Sequence, residues 1–194
     1  MNKLTRIIGI MPKAPRVYST WDPANKNPAT ELSNSNLTLG KNANVLWSQG
    51  LATQGKTSGG WCFTIKKSST TVNTIVGVSS YLKTGSGENY VGSGVTGERA
   101  VGYNSTGTIH RAGSVIATVA SWLSTDTIQI EFNATTGAVY FYKNGTQVYT
   151  INLGAGILYP AASAYSIVDS VTANFGQTTS ITPNNSGFNA GVFN

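Results

Sequence analysis

Apolar and polar positions alternate along most of this chain with a period of two. In "DTIQIEFN", residues 126–133, Ile128, Ile130 and Phe132 share one face while Thr127, Gln129 and Glu131 share the other, the pattern of a strand with one side against a core. "GAVYFYKNGTQVYTINL", residues 137–153, places two such runs around Asn144-Gly145. Both turn residues tolerate the positive φ that a type I′ turn demands, so the stretch predicts a hairpin. Lys143 should pair with Thr146, Phe141 with Val148, and Tyr140 with Tyr149. Val139, Phe141 and Val148 then form one face, and Tyr140, Tyr142, Tyr149 and Ile151 the other. A core needs only one of these faces. The tyrosine side is therefore either a binding surface or a second buried layer.

Shorter runs between Gly, Asn and Ser turns predict further strands at 31–33, 37–39, 45–48, 60–67, 73–79, 99–103, 108–110, 114–120, 158–164 and 171–175, alongside 127–133, 138–143 and 147–152. "RAGSVIATVASWL" also fits helical spacing at Ala112, Val115, Ile116, Val119 and Leu123, but its β-branched content favours a strand. Many short strands without a long helix predict an all-β sandwich or barrel.

Composition agrees. Only 10% of the 194 residues are charged, against about 25% in a typical soluble domain, and Gly, Ser, Thr and Asn take their place. The net charge of +6 is uneven. Lys3, Arg6, Lys13 and Arg16 put +4 into the first sixteen residues, which hold no acid, and leave +2 for the rest. The basic character belongs to an arm, and the body offers no Lys/Arg cluster for nucleic acid. No apolar run approaches the length that crosses a membrane, and Ile7 to Met11 is too short for a signal-peptide core. The chain divides into a basic arm (1–16), a strand-rich body (17–176) and an uncharged tail (177–194).

Catalytic and metal chemistry find little support. "GSGVTG", residues 92–97, matches a dinucleotide-binding pattern but opens no helix. Cys62 is the only cysteine and His110 the only histidine, which excludes an intrachain disulfide and a multi-histidine metal site. Asp126 and Glu131 lie five positions apart on one predicted strand, so they face opposite sides and are expected to be solvated at its edge. A hydrolase would need Glu88 or Glu98 set against another acid. No metal, cofactor or enzymatic activity is expected. The four tryptophans and nine tyrosines are mostly core candidates. Trp122 and Tyr90, in Gly/Ser-rich surroundings, are the ones expected at the surface.

Several segments together resemble the SPRY domain: "TIQIEFNATTGAVYFYKNG", "LYPAASAY", the closing "VTANFG", the early aromatic strand "GWCFTI", "IVGVSS" and "AVGYNSTGTI". They cover most of residues 17–176 in order. The opening "TWDPANKNPATELSNSNLTL" and the ending "NFGQ…P…GFNA", with Pro183, Gly187 and Phe188, are similar to SPRY-like domains of bacteriophage structural proteins. Two departures stand out: Asp22 occupies a slot that is often Asn, and "TTSIT" replaces an aromatic. The resemblance implies a bent two-sheet antiparallel β-sandwich, a concanavalin A-like jelly roll, binding ligands through loops at one edge, with no enzymatic activity.

These expectations describe a virion protein, made in the host cytoplasm without a signal peptide and displayed on the capsid, tail or fibre within a symmetric assembly. Lys3, Leu4, Arg6, Ile7, Ile8, Ile10, Lys13 and Arg16 would anchor the arm to other virion proteins. Tyr90, Trp122, Tyr140, Tyr142 and Tyr149 are the candidate ligand-binding residues, with a host surface glycan as one candidate ligand. A carbohydrate-binding adhesion module and a peptide-binding intracellular adaptor are the alternatives. Nucleic-acid and membrane partners are not expected.

Overall fold

The computed structural model describes residues 15–43, 47–68, 73–83, 90–94 and 97–194. Among them the chain forms fourteen strands and no helix. In chain order these are β1 (Trp21–Lys26), β2 (Thr30–Ser33), β3 (Thr38–Lys41), β4 (Ser48–Ala52), β5 (Gly60–Lys67), β6 (Thr74–Ser79), β7 (Ala100–Asn104), β8 (Thr108–Arg111), β9 (Ser114–Thr118), β10 (Ile128–Asn133), β11 (Ala138–Lys143), β12 (Thr146–Asn152), β13 (Tyr159–Ala164) and β14 (Val171–Asn174). They make two seven-stranded antiparallel sheets, ordered β1-β4-β13-β6-β7-β8-β9 and β12-β11-β10-β5-β14-β3-β2. The alternating apolar faces meet between them, with Phe63, Ile65, Val76, Val78, Val101, Ile128, Ile130, Phe132, Val139 and Phe141 in one core.

β5 and β11 span the residues their alternation predicts. β4 runs Ser48–Ala52 instead of 45–48; of the predicted segment, 45 and 46 lie outside the described residues. The segment 114–120 is a strand only to Thr118. β1 had no signal at all. Its sequence "WDPANK" has no alternation and carries Pro23, which cannot donate to a ladder and is confined to edges or irregular pairs. β1 is indeed an edge strand, paired only with β4 through a register shift between Trp21 and Lys26.

The hairpin forms, and its turn has φ of 50° at Asn144 and 82° at Gly145. Lys143 pairs with Thr146 as predicted, but a bulge between Phe141 and Tyr142 shifts the rest by one residue: Phe141 faces Tyr149, Tyr140 faces Thr150, and Val139 faces Ile151. A one-residue slip exchanges the two faces of a strand. Tyr149 and Ile151 therefore turn toward the core, where both are half-buried. The expected Tyr140–Tyr149 pair does not exist.

Each outer face is covered by a strap from the same chain. Residues 90–94 cross the first sheet. Val91 N donates to the Ser163 hydroxyl (3.0 Å), and Tyr90 packs against Trp47 (5.3 Å) and His110 (5.2 Å). The uncharged tail crosses the second sheet. It bridges Asn189 to Trp61 in parallel and Phe193 to Tyr18, and Val192 N donates to Phe175 O while Ser19 N donates to Val192 O. Residues 16–19, where the described chain begins, and the C-terminal residues 192–194 thus lie together at one pole of the sandwich, near Trp21, Ala52 and Gly60. The opposite pole carries the Asn144-Gly145 turn and the loops at 119–127 and 165–170.

Candidate binding site

Of the five candidate ligand-binding aromatics, none is a free platform. Trp122 is fully buried, at 0% exposure, because residues 119–125 fold back over the core, with Trp122 N bonded to Ser105 O and its ring tilted on Tyr103 at 6.1 Å. Tyr90 is 6% exposed, since it is the apolar underside of the strap over the first sheet. The Gly/Ser-rich context of both residues marks chain reversal, and chain reversal here delivers a ring inward. Tyr142 is buried and Tyr140 half-buried beneath the tail. Tyr140 meets Phe188 edge-on at 6.2 Å, and Asn185 Nδ2 donates to the Tyr142 hydroxyl at 2.8 Å. Burial, then the nearby Glu131 charge, holds the Tyr142 phenol above its usual range. Tyr149, on the end strand β12, is half-buried against the core.

The residue that fastens this cover is Glu131. Its carboxylate is fully buried, contrary to the expectation of a solvated strand edge. It accepts from Asn184 N (2.5 Å), Asn185 N (3.0 Å), Asn185 Nδ2 (2.6 Å), Asn184 Nδ2 (3.3 Å) and Gln129 Nε2 (2.8 Å). Neutral donors can hold a buried carboxylate when there are enough of them. Outward periodicity located Glu131 correctly but could not reveal that the tail would cover it. Cys62 lies under the same tail: its Sγ donates to Asn189 O at 3.1 Å, and burial pushes the thiol up to about 12.

Asp126 is buried rather than solvated as well. It accepts from Leu123 N (2.8 Å) and Asn144 Nδ2 (2.6 Å) and pairs with Lys143 Nζ at 3.2 Å. The Leu123 amide and these side chains hold its carboxyl below the usual carboxylate range, and together they lock the 119–127 loop to the hairpin turn. Glu98 is hydrogen-bonded with the Tyr81 phenol, which burial and that bond push above its usual range. Glu88 lies outside the described residues.

The surface left open lies at the loop pole. Lys41, Lys67 and Asp169 are buried beneath the 165–170 loop. Lys41 Nζ donates to Tyr165 O, Ser166 N donates to the Asp169 carboxylate at 2.8 Å, and Lys67 lies 5.3 Å over the Trp122 ring. Burial pulls both ammonium groups below the lysine range, and the Asp169 charge offsets part of that. On this scaffold the loop turns Ile167 (53%) and Val168 (58%) outward, and Leu123 (56%) is exposed on the loop carrying Trp122. Exposed apolar tips on a well-tied loop are unusual for a surface that meets only water. A groove of about 270 Å³ runs beside them, lined by Glu31, Ser33, Thr38, Lys41 and Ser170. A second groove of about 260 Å³ lies on the uncovered part of the outer face, lined by Asn34, Thr64, Lys66, Thr172, Asn174 and Thr179.

Of the anchoring residues, Lys3, Leu4, Arg6, Ile7, Ile8, Ile10 and Lys13 lie outside the described residues. Arg16 is described, and its guanidinium stacks 4.2 Å over Phe193. It fastens the base of the arm to its own domain.

The architecture is that of SPRY domains. The SPRY domain of human HERC1 matches with a TM-score of 0.65 at 22% identity, over 79% of this chain and 96% of that one. The PSpry domain of TRIM65 matches at 0.63 and 15% identity, over 81% and 90%. Stonustoxin matches at 0.62 and 14% identity, over 81% of this chain but only 27% of its own. No family model and no curated protein matches the sequence.

Proposed function

We propose that this SPRY-fold sandwich is a non-enzymatic structural protein of a bacteriophage particle, held by its arm and displaying a binding module. The polarity of the molecule carries this reading. The base of the arm and the C-terminus are tied together at one pole, where Val17 N donates to Asn194 Oδ1 and Asn194 N to Val17 O, each at 3.2 Å. The exposed apolar loop tips stand at the other. An arm that leaves from one end and a rigid loop surface at the far end suit display on a particle. The likeness of the opening and closing segments to those of phage SPRY-like proteins supports the setting. A non-enzymatic role is supported by the carboxylates of Glu131, Asp126 and Asp169, which are occupied in holding the tail and the loops.

If the loop pole makes the recognition contact, particles carrying Ile167→Asp with Val168→Asp should assemble normally yet adsorb to host cells on the order of tenfold less or worse, because apolar anchors at the centre of a contact carry most of its energy. Unchanged adsorption would refute recognition by this loop. A glycan-binding adhesion module is the second reading, favoured by the hydroxyl- and amide-lined groove on the outer face; saturable binding on a glycan array supports it.

A further inference from the structure

The described lysines are fastened to their own chain, with one exception. Lys26 donates to Thr30 O, Lys41 to Tyr165 O, Lys56 to Gln54 Oε1 and Lys83 to Ser93 O. Lys143 pairs with Asp126, and Lys67 lies over the Trp122 ring. Lys66 is exposed and has no hydrogen bond, ion pair or ring contact among the described residues. It lines the groove of about 260 Å³ on the outer face of the second sheet. The Asn34 amide and the Thr64 and Thr178 hydroxyls line the same groove and are likewise unpaired among the described residues. Among those residues neither a carboxylate nor an aromatic ring borders it. A base or the flat face of a neutral sugar therefore finds no stacking platform there.

The chain's own charges do not suit this groove. Asp22 is bonded to Ala24 N and Asn25 Nδ2, Glu98 to Tyr81, and Asp126, Glu131 and Asp169 are buried. Glu31 shares the outer face with Lys66 but stands three strands away, about 14 Å at ~4.8 Å each. The remaining acid, Glu88, is two residues from Tyr90, which packs on the other sheet against Trp47 and His110. The arm carries the wrong sign: Lys3, Arg6 and Lys13 would be brought against Lys66, and it holds no acid to answer it.

The groove's rim is built at a cost. Asn34, Ser35 and Asn36 have φ of 52°, 53° and 62°, three consecutive left-handed residues without a glycine. Such backbone persists only where its surroundings over-determine it, and it gathers at functional sites. Here Trp21 N donates to Asn36 O (2.8 Å), Leu37 N to Asn34 O (3.0 Å) and Trp21 Nε1 to Leu37 O (3.0 Å), so a core tryptophan fixes the turn that carries Asn34. We propose that this groove takes one anionic sugar unit, its carboxylate or phosphate on the Lys66 ammonium and its hydroxyls on Asn34, Thr64 and Thr178. This rests on the glycan-binding reading above and names the ligand's charge and its seat. An ammonium with adjoining hydroxyl and amide donors is the set that such a unit requires.

The full chain, probed on an array of neutral, uronic-acid, sialylated and phosphorylated glycans, tests this without any particle. Wild type should bind anionic glycans, and the carboxylated against the phosphorylated ones tell which anion is taken. Lys66→Gln should weaken that binding on the order of tenfold or more, the worth of one hydrogen bond to a charged group. Lys66→Arg should keep most of it. Arg111→Gln, which removes the same charge from β8 on the other sheet, should change nothing. Lys66 is exposed and unbonded, so an unchanged melting temperature in Lys66→Gln confirms the fold. Binding to neutral glycans alone would overturn the proposal and leave the glycan reading standing. So would anionic binding that survives Lys66→Gln, or that falls equally with Arg111→Gln. Binding to no glycan would overturn both.

Discussion

Replacing Glu131 with alanine should free the tail segment around Asn184 and Asn185 from the sheet and cost about 3–5 kcal/mol of stability, the range for stripping one member from a buried charged network. The carboxylate accepts from two tail backbone amides, two tail side-chain amides and Gln129. Without it the tail donors must stay buried and unsatisfied or leave for water. Leaving is the cheaper course, because the tail is uncharged and carries its own hydrogen-bonding groups. Release would expose Tyr140 and Tyr142 and leave the cover over Cys62 held by the Asn189 pairs alone, so Cys62 should open more often. Urea unfolding measures the loss, and labelling of Cys62 by a thiol reagent in native buffer reports the opening. Glu131→Gln is a sharper version: it keeps one acceptor oxygen but sets an amide NH₂ against amide donors, so it should fall between wild type and alanine. A Glu131→Ala protein within about 1 kcal/mol of wild type, the worth of one ordinary hydrogen bond, would show that the clamp is not what holds the tail.

Trp122→Ala should cost about 3–5 kcal/mol, as large-to-small changes in a close-packed core do. The ring is fully enclosed, tilted on Tyr103 and capped by the Lys67 ammonium. Its indole N–H has no hydrogen-bond partner among the described residues. Trp122→Phe therefore removes apolar volume and relieves a buried donor at once, and should lose distinctly less than alanine. Thermal or denaturant melts separate the two variants. A ligand-stacking tryptophan would behave in the opposite way, with stability unchanged and binding lost. That pattern would contradict the structure.

The sequence carried the fold well where strands alternate and poorly where they do not. β5 and β11 could be placed to the residue because one side of each strand is apolar and the other is not. β1 could not, since Pro23 and a broken register leave it no period. The hairpin turn was legible from two residues, but the bulge beside Tyr142 was not. A bulge is an extra residue in a ladder, and nothing in "YFYKNG" says which partner will be skipped. The consequence was large: Tyr149 moved from the outer face to the core side of β12.

The site was harder to read for a different reason. Alternation tells which residues point outward, yet not what lies outside. Glu131, Tyr140 and Tyr142 do point away from the core between the sheets, and they are covered because the tail has the right amides at Asn184 and Asn185 and the right ring at Phe188. The same holds for Tyr90 under its strap. In a chain this poor in charge, outward aromatics become a second layer whenever a spare segment can reach them. The groups that stay exposed, Ile167 and Val168 among them, lie in a stretch with no motif at all. They stand out only once Lys41 and Asp169 are seen to be buried beneath them.

The central claim is that the arm holds this domain on a phage particle. Mass spectrometry of purified particles, made with the full chain or with residues 1–16 deleted, tests it most directly. The account predicts the full chain at a fixed copy number per particle, and the truncated chain folded and soluble but absent from particles. Incorporation of both at the same copy number, or of neither, would contradict it.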